Sequence, residues 1–381
     1  MKELGAKTDL VVHARVVNGA GGGPDKTILN SPRFLRDQGY SMLCAYLRDP
    51  ADPHFTQIEN RARQWDAPLV AVDDTGPLDW RVLKRVTALC KEHRPAIWHG
   101  HDYKTNLLGL LVRRTVPMRL ITTVHGWVKH TWKTPLYYAI DRQCLPRYDQ
   151  VICVSQDLYE ECLARGVPTH KCWHIPNAID TQEFSRRRSP MASKQAHGVA
   201  DNRLVIGAVG RLSAEKGFDY LIRAVTELVV EGFNIELWIA GEGDAERSLR
   251  QLTAELRIKE RVKFLGFRSD TLALYHSMDV FALSSLREGL PNVLLEAMAL
   301  EVPIVTTRVA GIPKLVTNDD NGLIVEPGSV SQLVEGLRRL LSSPDQRVRL
   351  GKRGRDTIEA NYSFTHRMAK IAKIYDLAMT R

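Results

Sequence analysis

A chain of 381 residues with 44% hydrophobic and 25% charged residues is too long for one hydrophobic core and too apolar to stay disordered, so two domains of ordinary globular composition are expected. The net charge of +9 is unevenly spread: through Gln195 there are 28 Lys and Arg against 20 Asp and Glu, and after it 25 against 24. No apolar run reaches the roughly 18 residues needed to span a bilayer, and the N-terminus has no secretory apolar core, so a cytoplasmic protein is expected.

The basic excess of the N-terminal half suits an anionic partner: a membrane surface, a phosphorylated acceptor or nucleic acid. For nucleic acid the sequence offers charge but no recognition motif, and none is expected as partner. The six cysteines, Cys44, Cys90, Cys144, Cys153, Cys162 and Cys172, form no C-x-x-C pair and no Cys/His zinc spacing, and read as reduced, buried thiols.

In chain order, short β-branched runs at 9–17, 40–47, 68–72, 96–99, 119–124 and 150–154 alternate with helical patterns such as 78–93 and 105–114. Parallel strands need crossovers of helical length, so this alternation predicts a parallel sheet covered on both faces. The pattern pauses over 180–202, where Arg186-Arg187-Arg188-Ser189-Pro190 and a polar stretch bury little; this reads as the interdomain linker. A second alternation follows at 204–209, 235–240, 261–265, 280–283, 303–307 and 322–325, and 345–381 reads as helical. The expected domains are 1–190 and 191–365, with a helix over 366–381 returning to the first domain. Ligands of such sheets bind outside the carboxyl ends of the strands.

Several strand ends carry candidate chemistry. After the first strand comes Asn18-Gly19-Ala20-Gly21-Gly22-Gly23-Pro24, whose glycines suit a turn at a phosphate or sugar, with a flexible loop as the competing reading. Two strands end in histidine segments, Trp98-His99-Gly100-His101-Asp102 and Val124-His125-Gly126. Such histidines donate either to a ligand oxygen or to a partner within the fold. His99, His101 and Asp102 lack a separated third ligand, and there is no D-x-D motif, so no metal is expected. The segment with Trp127, Lys129, His130, Trp132, Lys133, Tyr137, Tyr138, Arg142 and Arg147 suits an interfacial surface on anionic lipid, or a buried aromatic cluster with snorkelling cations.

In the second half, Gly210-Arg211-Leu212-Ser213-Ala214-Glu215-Lys216-Gly217 links a strand to an amphipathic helix. A helix N-terminus with Arg211 and Lys216 suits a diphosphate, but Gly-Lys is not followed by Ser or Thr, so this is no P-loop. Glu288 and Glu296 flank the turn-to-helix stretch Gly289-Leu290-Pro291-Asn292, and Pro is favoured at a first helical position. Two acceptors so separated could hold two hydroxyl-bearing parts of one ligand, or face water.

The ordered set is more specific than its parts. The loop 21–24, Val124-His125-Gly126, Val154-Ser155, Ile175-Pro176-Asn177-Ala178-Ile179-Asp180, the loop 210–217, Gly241-Glu242-Gly243, the two-glutamate stretch and Val309-Ala310-Gly311-Ile312-Pro313 together resemble the retaining GT-B glycosyltransferases of family four. The likeness covers nearly the whole chain and implies an α/β fold of two Rossmann-like domains facing across a cleft. It implies Glu296 on the ribose hydroxyls, Glu288 on the donor sugar, Gly289, Leu290, Pro291 and Asn292 along the sugar pocket, and Arg211 and Lys216 on the diphosphate. His125 would face the transferred sugar, and Gly22, Gly23, Gly210, Gly241 and Arg268 complete the donor-binding set. His125, Arg211, Lys216 and Glu288 are thereby the catalytic candidates. Three positions depart from the pattern: Ala178 stands where glycine is usual, Ala310 precedes a single glycine, and Lys314 replaces a frequent glutamate.

The resemblance implies transfer from a nucleotide-diphosphate sugar to a glycan, lipid-linked or small-molecule hydroxyl, in polysaccharide or glycolipid synthesis, with no cofactor. No carboxylate stands out as a covalent nucleophile, so retention is expected by a front-face, oxocarbenium-like path in which cations stabilise the departing diphosphate. The basic half is expected to contact the inner membrane face. The alternatives are a nucleotide-sugar epimerase of the same fold and a non-catalytic nucleotide-sugar-binding subunit.

Overall fold

The computed structural model describes residues 8–19, 21–76, 79–126, 134–187, 189–200, 202–268 and 270–380, with the side chains of 134–138 and 191 outside the description. The chain divides into two units, Met1–Pro176 with Thr365–Arg381, and Asn177–Phe364.

In the first unit, β1 (Asp9–Val17), β2 (Tyr40–Arg48), β3 (Leu69–Asp73), β4 (Ile97–Gly100), β5 (Arg119–Val124), β6 (Gln150–Cys153) and β7 (Cys172–His174) form one sheet in the order β3-β2-β1-β4-β5-β6-β7. Every pairing is parallel. Helices cover both faces, which is why Val11, Val12 and Ala14 are all fully buried although neighbours in a strand point to opposite faces. The order reverses between β1 and β4, so two loops diverge there and leave room at the strand ends. β7 is absent from the sequence reading: it has three residues, ends in an exposed His174 and lies at the sheet edge, too short to show a period.

In the second unit, β8 (Leu204–Val209), β9 (Ile235–Ala240), β10 (Val262–Phe264), β11 (Val280–Leu283), β12 (Ile304–Thr307) and β13 (Leu323–Val325) form a parallel sheet in the order β10-β9-β8-β11-β12-β13. Its reversal lies between β8 and β11.

Two boundaries differ from the sequence reading. The second unit begins at Asn177, not after a linker over 180–202. That polar stretch is built into the unit: Arg186 donates to the Leu300 carbonyl at 2.6 Å, and Lys194, on the helix Pro190–Ala196, pairs with Asp279 at 2.9 Å. Its charged residues bury little apolar surface, which is why it reads as linker, but they satisfy buried backbone and carboxylate groups. The helical C-terminal stretch is two helices, Pro344–Asn361 and Phe364–Met379, broken where Ile179 bridges Ser363. The last helix buries Met368, Ile371, Ala372, Ile374, Tyr375 and Ala378. Tyr40 of β2 donates to its Asp376 at 2.6 Å, so it is fastened to the first sheet. All six cysteines are free and buried. No helix among the described residues is long and apolar enough to cross a membrane.

Candidate active site

The reversal between β8 and β11 assembles residues that lie far apart in sequence. The loop after β8 ends at Gly217 (φ +60°), where a Cβ would stand 2.4 Å from the Ser284 carbonyl oxygen, so only glycine lets this loop lie against the end of β11. Ser284 donates to the Lys216 carbonyl at 3.0 Å, and the Leu286 amide to the Glu215 carbonyl at 2.8 Å. The two loops are thus bonded by a backbone amide and the Ser284 hydroxyl, independently of the Lys216 and Glu288 side chains. Lys216 Nζ then reaches Glu288 Oε1 at 2.6 Å, with side chains 20% and 8% exposed. Ser285 Oγ donates to the same oxygen at 2.7 Å, and Thr307 at the end of β12 steadies Ser285 by donating to its carbonyl at 2.6 Å. Glu288 Oε2 takes no hydrogen bond among the described residues.

Glu296 sits in the helix Asn292–Ala299, with Pro291 as the cap residue before it. It is buried, only 3% exposed, which rules out the solvated-face reading. Tyr275 donates to its Oε2 at 2.9 Å, and burial first, then the nearby carboxylate, pushes the Tyr275 phenol well above its ordinary range. A buried carboxylate held this way is an oriented acceptor. Asn292 Oδ1 is buried without a partner among the described residues, and no described atom comes near a Cβ built on Gly289. The loop after β12 closes in here: a Cβ on Gly311 would stand 3.4 Å from the Gly289 carbonyl oxygen and 4.0 Å from Leu290 Cβ.

The remaining candidates in this unit are placed less centrally. Arg211 is 63% exposed in its side chain and pairs with Glu215 at 2.9 Å. The Gly210 amide donates to Ala240 and the Gly241 amide to Gly266, at 3.0 and 2.8 Å, so neither N–H is free for a phosphate. Gly241 (φ +142°) instead permits close packing, since its Cβ would fall 1.9 Å from the Gly210 carbonyl oxygen. Arg268 follows β10, the edge strand beyond β9, and its guanidinium is engaged by Asp270 through two bonds of 2.7 and 2.5 Å.

In the first unit, Gly22 caps the helix Gly23–Arg36. Its amide donates to Asp25 Oδ2 at 2.6 Å, and Asp25 in turn accepts from Arg15 of β1 at 2.6 Å. His125, after β5, is one end of a connected set. His101 Nδ1 lies 3.0 Å from His125 Nε2, and His101 Nε2 lies 2.8 Å from His13 Nδ1. His13 Nε2 and His99 Nδ1 meet the Tyr375 hydroxyl at 2.9 and 2.7 Å, and His99 Nε2 meets Thr123 Oγ1 at 2.8 Å. Burial drives all four imidazoles to titrate low, His13 to about 3 and the others well below their ordinary value; at His99 and His101 neighbouring histidines add to this, and at His125 Arg15 and Arg367 do. Ring nitrogens of His13, His99 and His101 fall within 4.8 Å of one another. Every nitrogen of these three is already in a hydrogen bond, so metal binding would dismantle the set.

Sequence reasoning missed Ser285, Tyr275, His13, Thr123 and Tyr375. Tyr375 and Tyr275 carry apolar letters in helical patterns, and nothing in one dimension shows that their hydroxyls meet a carboxylate or two histidines. The aromatic and cationic residues from Trp127 to Lys133, and the side chains of Tyr137 and Tyr138, lie outside the described residues. Arg142 pairs with Glu161 at 2.9 Å, and Arg147 donates to the Gln143 carbonyl.

Comparison with known proteins shows the family and the fold. The family Glycosyltransferase Family 4 matches residues 21–183, and the family Glycosyl transferases group 1 matches residues 191–357. An uncharacterized glycosyltransferase of Methanocaldococcus jannaschii is 32% identical over 295 residues, 74% of this chain and 75% of that one. The capsular polysaccharide biosynthesis glycosyltransferase CapM of Staphylococcus aureus is 28% identical over 75% of this chain and 77% of its own. Among solved structures, HepE of Anabaena in complex with UDP-glucose matches 97% of this chain and 99% of its own with a TM-score of 0.80, at 21% identity, a likeness of fold.

Proposed function

The chain belongs to the group 1 glycosyltransferases of GT-B fold, and from that premise we propose that it transfers a sugar from a nucleoside-diphosphate donor with retention at the anomeric carbon and without a metal ion. The observation that carries this reading is the Lys216–Glu288 pair, 2.6 Å long, at the reversal of the second sheet. An ammonium offers three donor hydrogens and Glu288 uses one, so Lys216 can meet a diphosphate without releasing its carboxylate. As the anomeric bond breaks, the growing phosphate charge finds a cation already in place, with Arg211 on the same loop to add a second. Glu288 Oε2 accepts from a sugar hydroxyl, and Glu296, oriented by Tyr275, accepts from the ribose. Neither carboxylate of the pair, Glu288 or Glu296, is placed by these duties to attack the anomeric carbon, which supports the front-face path.

HepE binds UDP-glucose, which supports a UDP-sugar as the donor here, and CapM acts in capsular polysaccharide synthesis, which supports a growing or lipid-linked glycan as acceptor. A cavity of about 500 Å³ in the first unit, with Leu107, Leu110, Leu111 and Ile140 beside Arg113, Arg114 and Arg147, supports contact between this unit and an anionic membrane surface from the cytoplasmic side.

The test is a thermal-shift screen against UDP-, GDP- and ADP-sugars, followed by turnover with the stabilising donor and a panel of glycan and lipid-linked acceptors, with and without EDTA. A donor that raises Tm, an α-product from an α-donor and full rate in EDTA are expected. An inverted product or loss of rate in EDTA refutes the mechanism. Product from the donor alone means an epimerase, and binding without turnover on any acceptor means a non-catalytic subunit.

A further inference from the structure

The histidines of the first unit form a single hydrogen-bonded line, Thr123–His99–Tyr375–His13–His101–His125, joined by five contacts of 2.7 to 3.0 Å. Each contact needs one proton, and a neutral imidazole owns one, donating through one nitrogen and accepting at the other. A tyrosine hydroxyl also donates once. Unless Tyr375 accepts from both of its histidines, which leaves its own buried hydroxyl proton with no acceptor among the described residues, donation runs in one direction along the entire line, in one of two arrangements. In one, Thr123 donates to His99 and each histidine carries its proton on Nδ1, so His125 presents Nδ1–H outward. In the other, every proton sits on Nε2, and His125 presents a bare Nδ1.

The far end of the line decides between them. Thr123 is buried, 2% exposed, and His99 Nε2 is the partner of its hydroxyl among the described residues. If His99 donated to Thr123, the threonine proton would point into the core with nothing to accept it. An orphaned buried donor disfavours that arrangement by about tenfold or more. Charging any member would also break the line, because an imidazolium donates on both sides. Burial opposes that charge, as do the guanidiniums facing the set, Arg15 of β1 and Arg367 of the last helix, the latter bonded to the Ile175 and Pro176 carbonyls. Tyr375 comes from the C-terminal helix, so the line also needs that helix in place.

We infer that Thr123, acting through His99, Tyr375, His13 and His101, fixes His125 as the Nδ1–H tautomer, so that His125 is a permanent hydrogen-bond donor to an oxygen of the transferred sugar and never a base. Thr123 and Tyr375 are thus positioning residues for a group they do not touch. The assignment to the sugar rests on the glycosyltransferase reading; the tautomer is measured without substrate.

The experiment is a ring-nitrogen NMR spectrum of the full chain labelled with 15N-histidine, the His125 signals being identified by their loss in His125→Gln. Wild type should show His125 protonated at Nδ1 alone. Thr123→Val removes the only hydroxyl proton at the end of the line and should give both tautomers; Thr123→Ser should restore the wild-type pattern. Tyr375→Phe cuts the line midway and should also give both. With a productive donor and acceptor, Thr123→Val should lose about tenfold in kcat with donor KM within about twofold, and Thr123→Ser should recover the rate. A wild-type His125 protonated at Nε2, or an unchanged tautomer in both Thr123→Val and Tyr375→Phe, overturns the inference. A shifted tautomer with unchanged kcat overturns its functional half. Failure of the wild type to transfer any sugar would refute the glycosyltransferase reading while leaving the tautomer result standing.

Discussion

The two sheets reverse their strand order at equivalent places, between β1 and β4 and between β8 and β11, yet what stands at the two reversals is chemically opposite. At the second, a cation and a carboxylate meet at 2.6 Å with the lysine side chain still 20% exposed. At the first, four imidazoles are held neutral, three joined nitrogen to nitrogen and the fourth through the Tyr375 hydroxyl. Topology supplies the vacancy in both units. Side chains decide whether it holds an ion pair or a line of uncharged imidazoles.

The comparison breaks most sharply at Lys216. Lys216→Ala should lower kcat by about a thousandfold, the scale expected when a preorganised charge at a leaving group is removed, and steady-state assays against the identified donor measure it. The same change leaves Glu288 buried with Ser285 as its one partner among the described residues, which should lower Tm by several degrees. Adding Glu288→Gln should restore Tm but not rate. Recovery of rate in the double variant would mean that the lysine only neutralises the carboxylate.

Acid should act on the first unit before the second. His13, His99 and His101 are buried, and their folded-state affinity for protons lies well below that of the unfolded chain, His13 at about 3. Above about 6.5 the imidazoles are neutral in both states and burial costs nothing in protonation. As pH falls from about 6.5 toward 3 the unfolded state binds protons the folded state refuses, so stability is lost progressively across that window. Each histidine should withdraw stability at a slope that steepens as pH falls below about 6.5 and approaches roughly 1 kcal/mol per pH unit about one unit lower. Denaturant melts at pH 7.0, 6.0 and 5.0 check this, and a flat stability curve over that range would contradict the neutral line.

Tyr275→Phe probes the second reversal more gently. It removes the hydroxyl that orients the buried Glu296 carboxylate and should cost about 1 to 3 kcal/mol of stability. Donor KM should rise about tenfold while kcat changes less, because a ribose contact is made equally in ground and transition states. A fall in kcat alone would move Glu296 from binding to chemistry.

How far this was legible in sequence follows from which interactions are local. The strand runs of both units are continuous apolar stretches, and the parallel alternation is read directly from them. Glu288 and Glu296 are eight positions apart around a Gly and a Pro, a pattern held within one loop and helix. Lys216 meets Glu288 across 72 positions, and the family resemblance, not spacing, brought them into one site. The line from Thr123 to His125 passes through residues on β1, β4, β5 and the last helix, with His13 and Tyr375 separated by 362 positions. The strand-end histidines His99, His101 and His125 stand out in the sequence, but His13 and Tyr375 read singly as an apolar-strand histidine and a helical tyrosine. The polar stretch over 180–202 misled for the converse reason: composition registers how little it buries, not that Lys194 and Arg186 satisfy buried partners.

Arg268 gives the smallest effect and the finest test of where the second reversal ends. It lies past β10, and β9 stands between that strand and β8. Its guanidinium forms a two-point bond to Asp270, and the side chain is 33% exposed. To reach a donor phosphate it would have to give up a bidentate carboxylate, the strongest partner available to an arginine. Arg268→Ala should therefore change donor KM and kcat by no more than about threefold, whereas Arg211→Ala, on the loop that leaves β8, should change them by about tenfold. Parallel kinetics on the two variants rank them. If Arg268→Ala proves the more damaging, the donor extends along the strand ends to β10, and the charge gathered at the second reversal is wider than one lysine and its carboxylate.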